Sequence, residues 1–263
     1  MATESSIRKI YNQWNKDLKN RYLEFFRESA YTIWDGVISP VDYAGARMKV
    51  MILNREPYDA ENVSYDLTKA ILDCIKEDTW VFPYQTTLRT HLKQYLTVLN
   101  LGKTDFLELT DEAVRESVQA TDYYEFIRLL NRVAYCNVKK SDGKPKSEID
   151  DLYNYAKKGL DVLKERVLFF NPSIILAGDV CDGILDDLVD WGDNLYQAPD
   201  RRIGIWQLKI GKKLFPFVDM YHPSRVIGMS EYYIEFLHAL QEVERTHPGF
   251  WQTRLDNPCF QPA

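Results

Sequence analysis

Short apolar runs that end in polar turns alternate with segments of helical periodicity along most of the chain. Residues 48–53 (M-K-V-M-I-L) run into a proline turn, and residues 133–138, 172–178, 203–210 and 215–220 are further strand candidates. An apolar run of this length, closed by a polar turn, is typical of a strand buried on both faces. The alternation predicts an α/β fold: a three-layer α/β/α sandwich with a mainly parallel central sheet.

The helical segments extend over the whole sequence. Apolar and aromatic residues recur at three- and four-residue steps across residues 7–30, which predicts an amphipathic N-terminal helix. The same periodicity predicts helices over residues 65–75, 87–99, 111–119, 123–130, 149–169, 181–191 and 232–243. No repeat or long flexible linker divides residues 1–263, so we expect a single domain with a surface tail over residues 248–263.

Net charge and hydropathy limit the kinds of partner, such as nucleic acids or membranes, that the chain is expected to bind. The chain carries 33 basic and 39 acidic residues, a net charge of −6, which argues against coating nucleic acid through bulk positive charge but leaves a local basic groove open. No apolar stretch approaches the roughly 20 residues that a membrane span needs. The first residues lack the basic and apolar blocks of an export signal. We therefore expect a cytoplasmic monomer that does not bind membranes.

The cysteines do not form a recognisable metal motif. Cys74, Cys136, Cys181 and Cys259 lie far apart, without the close C-x-x-C pairing of zinc or iron-sulfur sites. We expect reduced, mostly buried thiols, no metal and no cofactor.

Two polar clusters follow strand candidates early and midway along the chain. Asn54, Arg55, Glu56 and Tyr58 leave the first strand around a proline, where Glu56 taken alone is most simply a turn residue paired with an arginine. Asn137 ends the second strand, where an amide offers both donors and an acceptor, although an Asx turn is its commoner use. A basic run follows Asn137 and contains Lys139, Lys140, Lys144 and Lys146, which alone would indicate a solvated loop.

A third cluster, His222-Pro223-Ser224-Arg225, follows the strand candidate at residues 215–220. A neutral imidazole at a strand end is a good donor to charge that develops on a leaving group. We expect the other histidines, His91, His238 and His247, to be inert and satisfied by backbone carbonyls. In parallel sheets, chemistry gathers beyond the carboxyl ends of the strands, where all three clusters are expected.

Taken together, the clusters resemble the motifs of the uracil-DNA glycosylase superfamily. In its best-known branch, Gly-Gln-Asp-Pro-Tyr-His follows an apolar strand, a strand ends in asparagine, and a late loop reads His-Pro-Ser. Here the similar segments are residues 54–59, Asn137 and residues 222–224, and the resemblance extends diffusely from about Trp14 to Leu240. The first motif departs at four positions, with asparagine for glycine, arginine for glutamine, glutamate for aspartate and aspartate for histidine.

The resemblance implies a monofunctional DNA glycosylase of the same fold, which hydrolyses the N-glycosidic bond of a flipped-out base, with uracil as the expected base. Glu56 would stabilise the cationic sugar and orient the attacking water, and His222 would donate to the departing base. Asn137 would read the base edge and Tyr58 would exclude thymine. Asn54 and Arg55 would line the same pocket.

The remaining assignments concern DNA contact. By the same resemblance, Ser224 and Arg225 would bind flanking phosphates and Val226 and Ile227 would wedge into the base stack, while Lys139 and Lys140 add positive charge beside the pocket. The candidates for the aromatic ring that stacks on the base are Tyr65 and Trp80.

Two other functions fit the same residues. Because Arg55 and Asp59 replace residues of the family's pocket, the substrate could be a modified pyrimidine, in repair or in defence against foreign DNA. Alternatively, the fold could serve as a non-catalytic module that binds nucleic acid or protein, which the net acidity favours.

Overall fold

A computed structural model describes residues 3–27, 32–57, 63–76, 85–140, 148–221 and 232–260. Several residues of the predicted site lie outside these ranges, namely Tyr58, Asp59, Trp80, Lys144, Lys146, His222, Ser224, Arg225, Val226 and Ile227.

The described part of the chain alternates helices and strands. The helices are α1 Glu4–Arg21, α2 Leu23–Arg27, α3 Pro40–Gly45, α4 Leu67–Lys76, α5 Gln85–Val98, α6 Asp111–Ala120, α7 Tyr123–Leu130, α8 Ile149–Lys158, α9 Leu160–Phe170 and α10 Tyr232–Thr246. The strands are β1 Ile33–Trp34, β2 Gly36–Val37, β3 Val50–Asn54, β4 Tyr65–Asp66, β5 Val133–Asn137, β6 Ile174–Gly178, β7 Asp190–Gln197, β8 Ile203–Ile210 and β9 Lys213–Met220. Among the described helices, none is long and apolar enough to cross a membrane.

The described strands form a central sheet in the order β2-β5-β3-β6-β9-β8-β7, and β1 pairs with β4 separately. The four central strands, β5, β3, β6 and β9, run parallel. Strand β2 joins one side antiparallel, and β8 and β7 extend the other side antiparallel. The prediction of a mixed α/β fold with a mainly parallel core and helices around it is confirmed.

Apolar side chains cover both faces of the sheet. Along β3, Val50 and Ile52 belong to one buried cluster, while Met51 and Leu53 belong to the other. Successive side chains of a strand point to opposite faces, so a run without polar residues can serve two cores at once. This two-sided burial fixes the register of the central strands and thereby the position of every residue that follows them.

The order of the strands also creates a topological switch point, at which a crevice is expected. From β3 the chain crosses to β5 on one side, and from β5 it returns to β6 on the other side of β3. The connections that leave β3 and β6 therefore diverge. In open α/β sheets, ligands bind at such a switch point, beyond the carboxyl ends of the strands.

Three predicted helices differ from the structure by more than their end residues. The helix predicted over residues 7–30 is interrupted at Tyr22, between α1 and α2. The helix predicted over residues 181–191 is wrong: a single irregular turn, Cys181–Leu185, contains Gly183 at a φ of 71°, and the polar edge strand β7 begins at Asp190. The helix predicted over residues 149–169 is divided at Gly159. A Cβ on Gly159 would lie 2.5 Å from the Phe25 ring, so the close approach of that ring requires glycine.

The predicted surface tail is anchored in the core. Trp251 is fully buried, and its indole Nε1 donates to the Leu240 carbonyl at 3.1 Å. Phe260 is also buried and packs against the rings of Tyr11 and Phe169. The tail therefore contributes to the stability of the domain.

Truncation of the Trp251 side chain tests the contribution of the tail to stability. Trp251→Ala should lower the free energy of unfolding by about 3–5 kcal/mol, because a large buried ring is removed and a cavity remains. Urea denaturation followed by circular dichroism measures the change. Leu107→Ala, at a side chain that is 43% exposed, is the control and should change the value by about 0.5 kcal/mol or less. Equal effects of the two changes would contradict the anchoring of the tail.

Candidate functional site

The ends of β3 and β5 bring two of the predicted clusters together. Asn54 and Asn137 are partners in the parallel register, and the hydrogen bonding continues past both strands: Val138 N donates to the Asn54 carbonyl at 2.7 Å, and Lys139 N donates to the Arg55 carbonyl at 2.8 Å. Residues 54–56 and 137–140 thus lie side by side. We call these seven residues the strand-end cluster.

Glu56 is the buried carboxylate of this cluster. Its side chain is 6% exposed, and its Oε2 lies 3.7 Å from the ammonium of Lys139. The same ammonium donates to Asp151 Oδ2 at 2.5 Å, so Asp151 is its closer partner. Attraction between opposite charges is stronger in such a water-poor setting than at the surface. Glu56 therefore has a positive neighbour whose charge is shared with a second carboxylate.

Arg55 bridges the ends of β3 and β6, on either side of the switch point. Its Nε donates to the Asp179 carbonyl at 2.6 Å, and its Nη2 lies 2.6 Å from Asp179 Oδ2. Asp179 follows β6 directly and has a φ of 60°, so a left-handed turn presents both its carbonyl and its carboxylate to the guanidinium. The two contacts fix the orientation of Arg55 across the switch point.

The two strand-end asparagines differ in the hydrogen bonds that their side chains form. Asn54 donates through Nδ2 to the Tyr135 hydroxyl at 2.9 Å, and its Oδ1 lies 3.1 Å from His91 Nε2. The backbone N of Asn137 donates to Asp35 Oδ2 at 2.7 Å, whereas its side-chain Nδ2 is 3.4 Å from the same oxygen. The Asn54 side chain therefore hydrogen-bonds to partners inside the protein, whereas the Asn137 side chain can more readily form a hydrogen bond to a bound ligand.

Lys139 and Lys140 are each only 4% exposed. Lys140 donates to both carboxylate oxygens of Asp35, at 2.9 and 2.7 Å, and Lys139 contacts Glu56 and Asp151. Contact of these lysines with DNA phosphates stays a prediction, and it would require both ammonium groups to leave their internal partners.

A network of buried, hydrogen-bonded polar side chains, which we call the relay, lies next to the strand-end cluster. His91, which is fully buried, contacts Asn54 through Nε2 and Gln94 Oε1 through Nδ1, both at 3.1 Å, and Gln94 Nε2 lies 3.1 Å from the sulfur of Met220. With Tyr135, the relay connects β5, β3, α5 and β9. The expectation that backbone carbonyls satisfy the histidines is wrong, because the partners of His91 are side-chain amides.

The two surface histidines also have side-chain partners. His238 Nε2 lies 2.7 Å from Asp111 Oδ1, and His247 Nδ1 lies 2.9 Å from the Thr246 hydroxyl. Nothing in a single sequence distinguishes a histidine in a buried relay from one on the surface, since all three occur within or next to helical patterns.

Tyr65 lies near the relay. It pairs with Ile33 in the short β1–β4 sheet and packs against the core. Burial raises the pKa of the Tyr135 hydroxyl, and the nearby Asp35 and Tyr65 raise it further. Tyr65 is thus close to the strand-end cluster, and its stacking on a base stays a prediction.

Asp219 is a residue that the sequence reasoning missed. It lies near the end of β9, and its carboxylate accepts hydrogen bonds from Val180 N at 3.1 Å and Cys181 N at 3.3 Å. Burial raises its pKa to about 7, with smaller contributions in the same direction from the neighbouring Asp179 and Asp182. The available signal was an aspartate inside the otherwise apolar run F-P-F-V-D-M.

The thiols whose side chains the structure describes are reduced. Cys136 and Cys181 are buried and Cys259 is partly buried. Within the described ranges, no group of three or more His, Cys, Asp and Glu side chains is arranged to hold a metal ion.

Comparison with known proteins leaves the family open. No protein-family model matches the chain, and a search of curated proteins gives no significant match.

The relay predicts that His91 contributes more to the free energy of unfolding than the surface residue His238. His91→Phe should lower the free energy of unfolding by about 1–3 kcal/mol, because buried amide groups of Asn54 and Gln94 lose their hydrogen bonds to the ring. His238→Phe, at an exposed ion pair, is the matched control and should change it by about 1 kcal/mol or less. Equal values from urea denaturation would contradict the relay.

Asp219 predicts a pH dependence of stability. Its folded pKa of about 7 lies above its ordinary value of 3.8, so between these values the folded state holds a proton that the unfolded state has lost. The contribution of Asp219 to the free energy of unfolding should therefore fall as pH rises from about 4 to about 7, by at most about 1.4 kcal/mol per pH unit.

Asp219→Asn should remove this slope, and the exposed Asp193→Asn should retain it. Urea denaturation at several pH values measures both. An unchanged slope in Asp219→Asn would show that the pKa of Asp219 is not raised.

Proposed function

We propose that the protein is a monomeric DNA glycosylase with a uracil-DNA glycosylase-like three-layer fold, which hydrolyses the N-glycosidic bond of a flipped-out uracil. The observation that carries the proposal is the parallel pairing of Asn54 with Asn137. This register puts the Glu-Pro segment of the first motif beside the strand-end asparagine of the second, at the carboxyl end of the sheet. The function requires a carboxylate and an amide at one pocket, and distant parts of the sequence supply them.

The charges around Glu56 suit an oxocarbenium-like sugar. Lys139 lies 3.7 Å from Glu56 and 2.5 Å from Asp151, so its positive charge is shared between two carboxylates. Glu56 then retains negative charge that can stabilise a cationic sugar and orient water for attack on its anomeric carbon. The N-glycosidic electron pair leaves with the base, and a hydrogen bond from His222 would stabilise the resulting anion.

Asn137 would select the base. The hydrogen bond from its backbone N to Asp35 fixes the main chain, while the side-chain Nδ2 contact with the same carboxylate is long, at 3.4 Å. The amide can therefore turn its donors and its acceptor to the edge of a pyrimidine at small cost. A base with the wrong pattern would leave buried polar groups unpaired, at a cost of about 1–3 kcal/mol each.

A specific observation favours each of two alternatives. Arg55 places a guanidinium, fixed by Asp179, at the switch point, which favours a modified pyrimidine with an additional acceptor group over uracil. The burial of Lys139 and Lys140 against carboxylates keeps both ammonium groups from DNA phosphates, which favours a non-catalytic module over a DNA glycosylase.

Base excision from oligonucleotides tests the proposal. Single- and double-stranded substrates that carry uracil or a modified pyrimidine are incubated with the protein, and alkali then breaks the strand at abasic sites. Glu56→Gln and His222→Ala should each lower the rate by at least about tenfold to a hundredfold, with little change in DNA binding. Glu108→Gln changes an exposed carboxylate outside the site and should retain the wild-type rate.

The outcomes separate the candidate functions. Cleavage at uracil supports the proposal, and cleavage only at another base supports the modified-pyrimidine alternative. DNA binding without excision of any base supports the non-catalytic module. Wild-type rates in both Glu56→Gln and His222→Ala would remove these residues from the mechanism.

A further inference from the structure

A buried cluster of ions lies beneath the strand-end cluster, and it contains one carboxylate and two cations. Asp35 and Lys140 are each 4% exposed, and Arg166 is 1% exposed. Lys140 donates to both oxygens of Asp35, and Arg166 Nη1 donates to Asp35 Oδ1. We call Asp35, Lys140 and Arg166 the buried triad.

The carboxylate of the triad has no capacity left for further donors. Its Oδ1 accepts from Lys140 and Arg166, and its Oδ2 accepts from Lys140 and from the backbone N of Asn137. Two donors of the Arg166 side chain, Nε and Nη2, are buried and have no hydrogen-bond partner among the described residues. These two N–H groups belong to one edge of the planar guanidinium and point in nearly the same direction, so a single acceptor can bind both.

Burial lowers the pKa of Lys140, and Asp35, which accepts two hydrogen bonds from its ammonium, opposes this shift. With Lys140 protonated, one carboxylate faces two cations, and the charges of the triad do not cancel. Although burial alone would raise it, the pKa of Asp35 is lowered by Lys140 and Arg166, so the carboxylate is ionised. Burial opposes the charge on Arg166, but Asp35 raises the net pKa of the guanidinium above its ordinary value. The Cys136 thiol, whose Sγ lies 4.0 Å from Arg166 Nη1, has a pKa raised by burial to about 11 and supplies no negative charge at neutral pH.

A small cavity adjoins the two cations. Arg166, Lys140 and Asn137 line it on one side, and its apolar wall includes Phe25, Val162 and Leu163. The space admits a single particle of the size of a water molecule or a small ion. A water molecule would satisfy the two N–H groups but would leave the excess positive charge of the triad uncompensated.

We propose that this cavity is a binding site for one small monovalent inorganic anion of halide size, bound by the free edge of Arg166 and by the positive charge of Lys140. The anion would pair with the unused N–H groups and balance the second cation. The cavity adjoins the proposed base pocket at Asn137, and the proposal does not depend on glycosylase activity.

Halide-dependent stability tests the proposal in solution. An anion that binds only the folded state raises its melting temperature, and the rise grows with anion concentration above the dissociation constant. At constant ionic strength, replacement of sodium gluconate by sodium bromide should raise Tm of the wild-type protein by a few degrees. In Lys140→Met, the Asp35–Arg166 pair is neutral as a whole, and the bromide effect should be lost. Lys157→Met, at an exposed lysine of α8, should retain it.

Bromide in crystals of the wild-type protein gives a second readout, which holds even if Lys140→Met fails to fold. The proposal expects an anomalous scattering peak within hydrogen-bond distance of Arg166 Nε and Nη2. Electron density at this position without an anomalous signal, as expected for water, would overturn the proposal. So would an absence of bromide dependence in the wild type, or an equal dependence in Lys140→Met.

Discussion

The carboxylate of Asp35 is the interaction on which the site depends. It joins the segment between β1 and β2 to the end of β5 through Asn137, to the following turn through Lys140, and to α9 through Arg166. Replacing it would leave two cations buried without a counter-charge, which typically costs about 3–5 kcal/mol. This interaction fixes where β5 ends, and the register of β5 with β3 then places Glu56 and Lys139 beside Asn137.

Burial has two consequences at the strand ends. It strengthens the electrostatic interactions of Glu56 and Arg55, which suits a site that must stabilise charge in a transition state. It also engages Asn54 and Lys140 in internal hydrogen bonds. In the proposed glycosylase, Asn54 and His91 act as positioning residues, and the amide of Asn137 and the carboxylate of Glu56 would act on the substrate.

Much of the fold could be predicted from periodicity, because two-sided burial makes β3, β5 and β6 continuous apolar runs. The edge strand β7 could not, since its D-W-G-D-N-L-Y-Q sequence is mostly polar and its strand conformation comes from pairing with β8. For the site, the strand ends were predictable from the turns that follow them. The partners of Arg55 and Lys140 were not, because Asp179 and Asp35 are remote in sequence and meet them only through the crossovers of the sheet.

The most direct test of the central claim is a crystal structure of Glu56→Gln bound to an oligonucleotide that contains uracil. The account predicts an extruded base whose edge is hydrogen-bonded to the Asn137 side chain, with residue 56 beneath the sugar and Arg55 at the wall of the pocket. A base bound at another surface, or a stacked base with the strand-end cluster closed by the protein's own side chains, would contradict it.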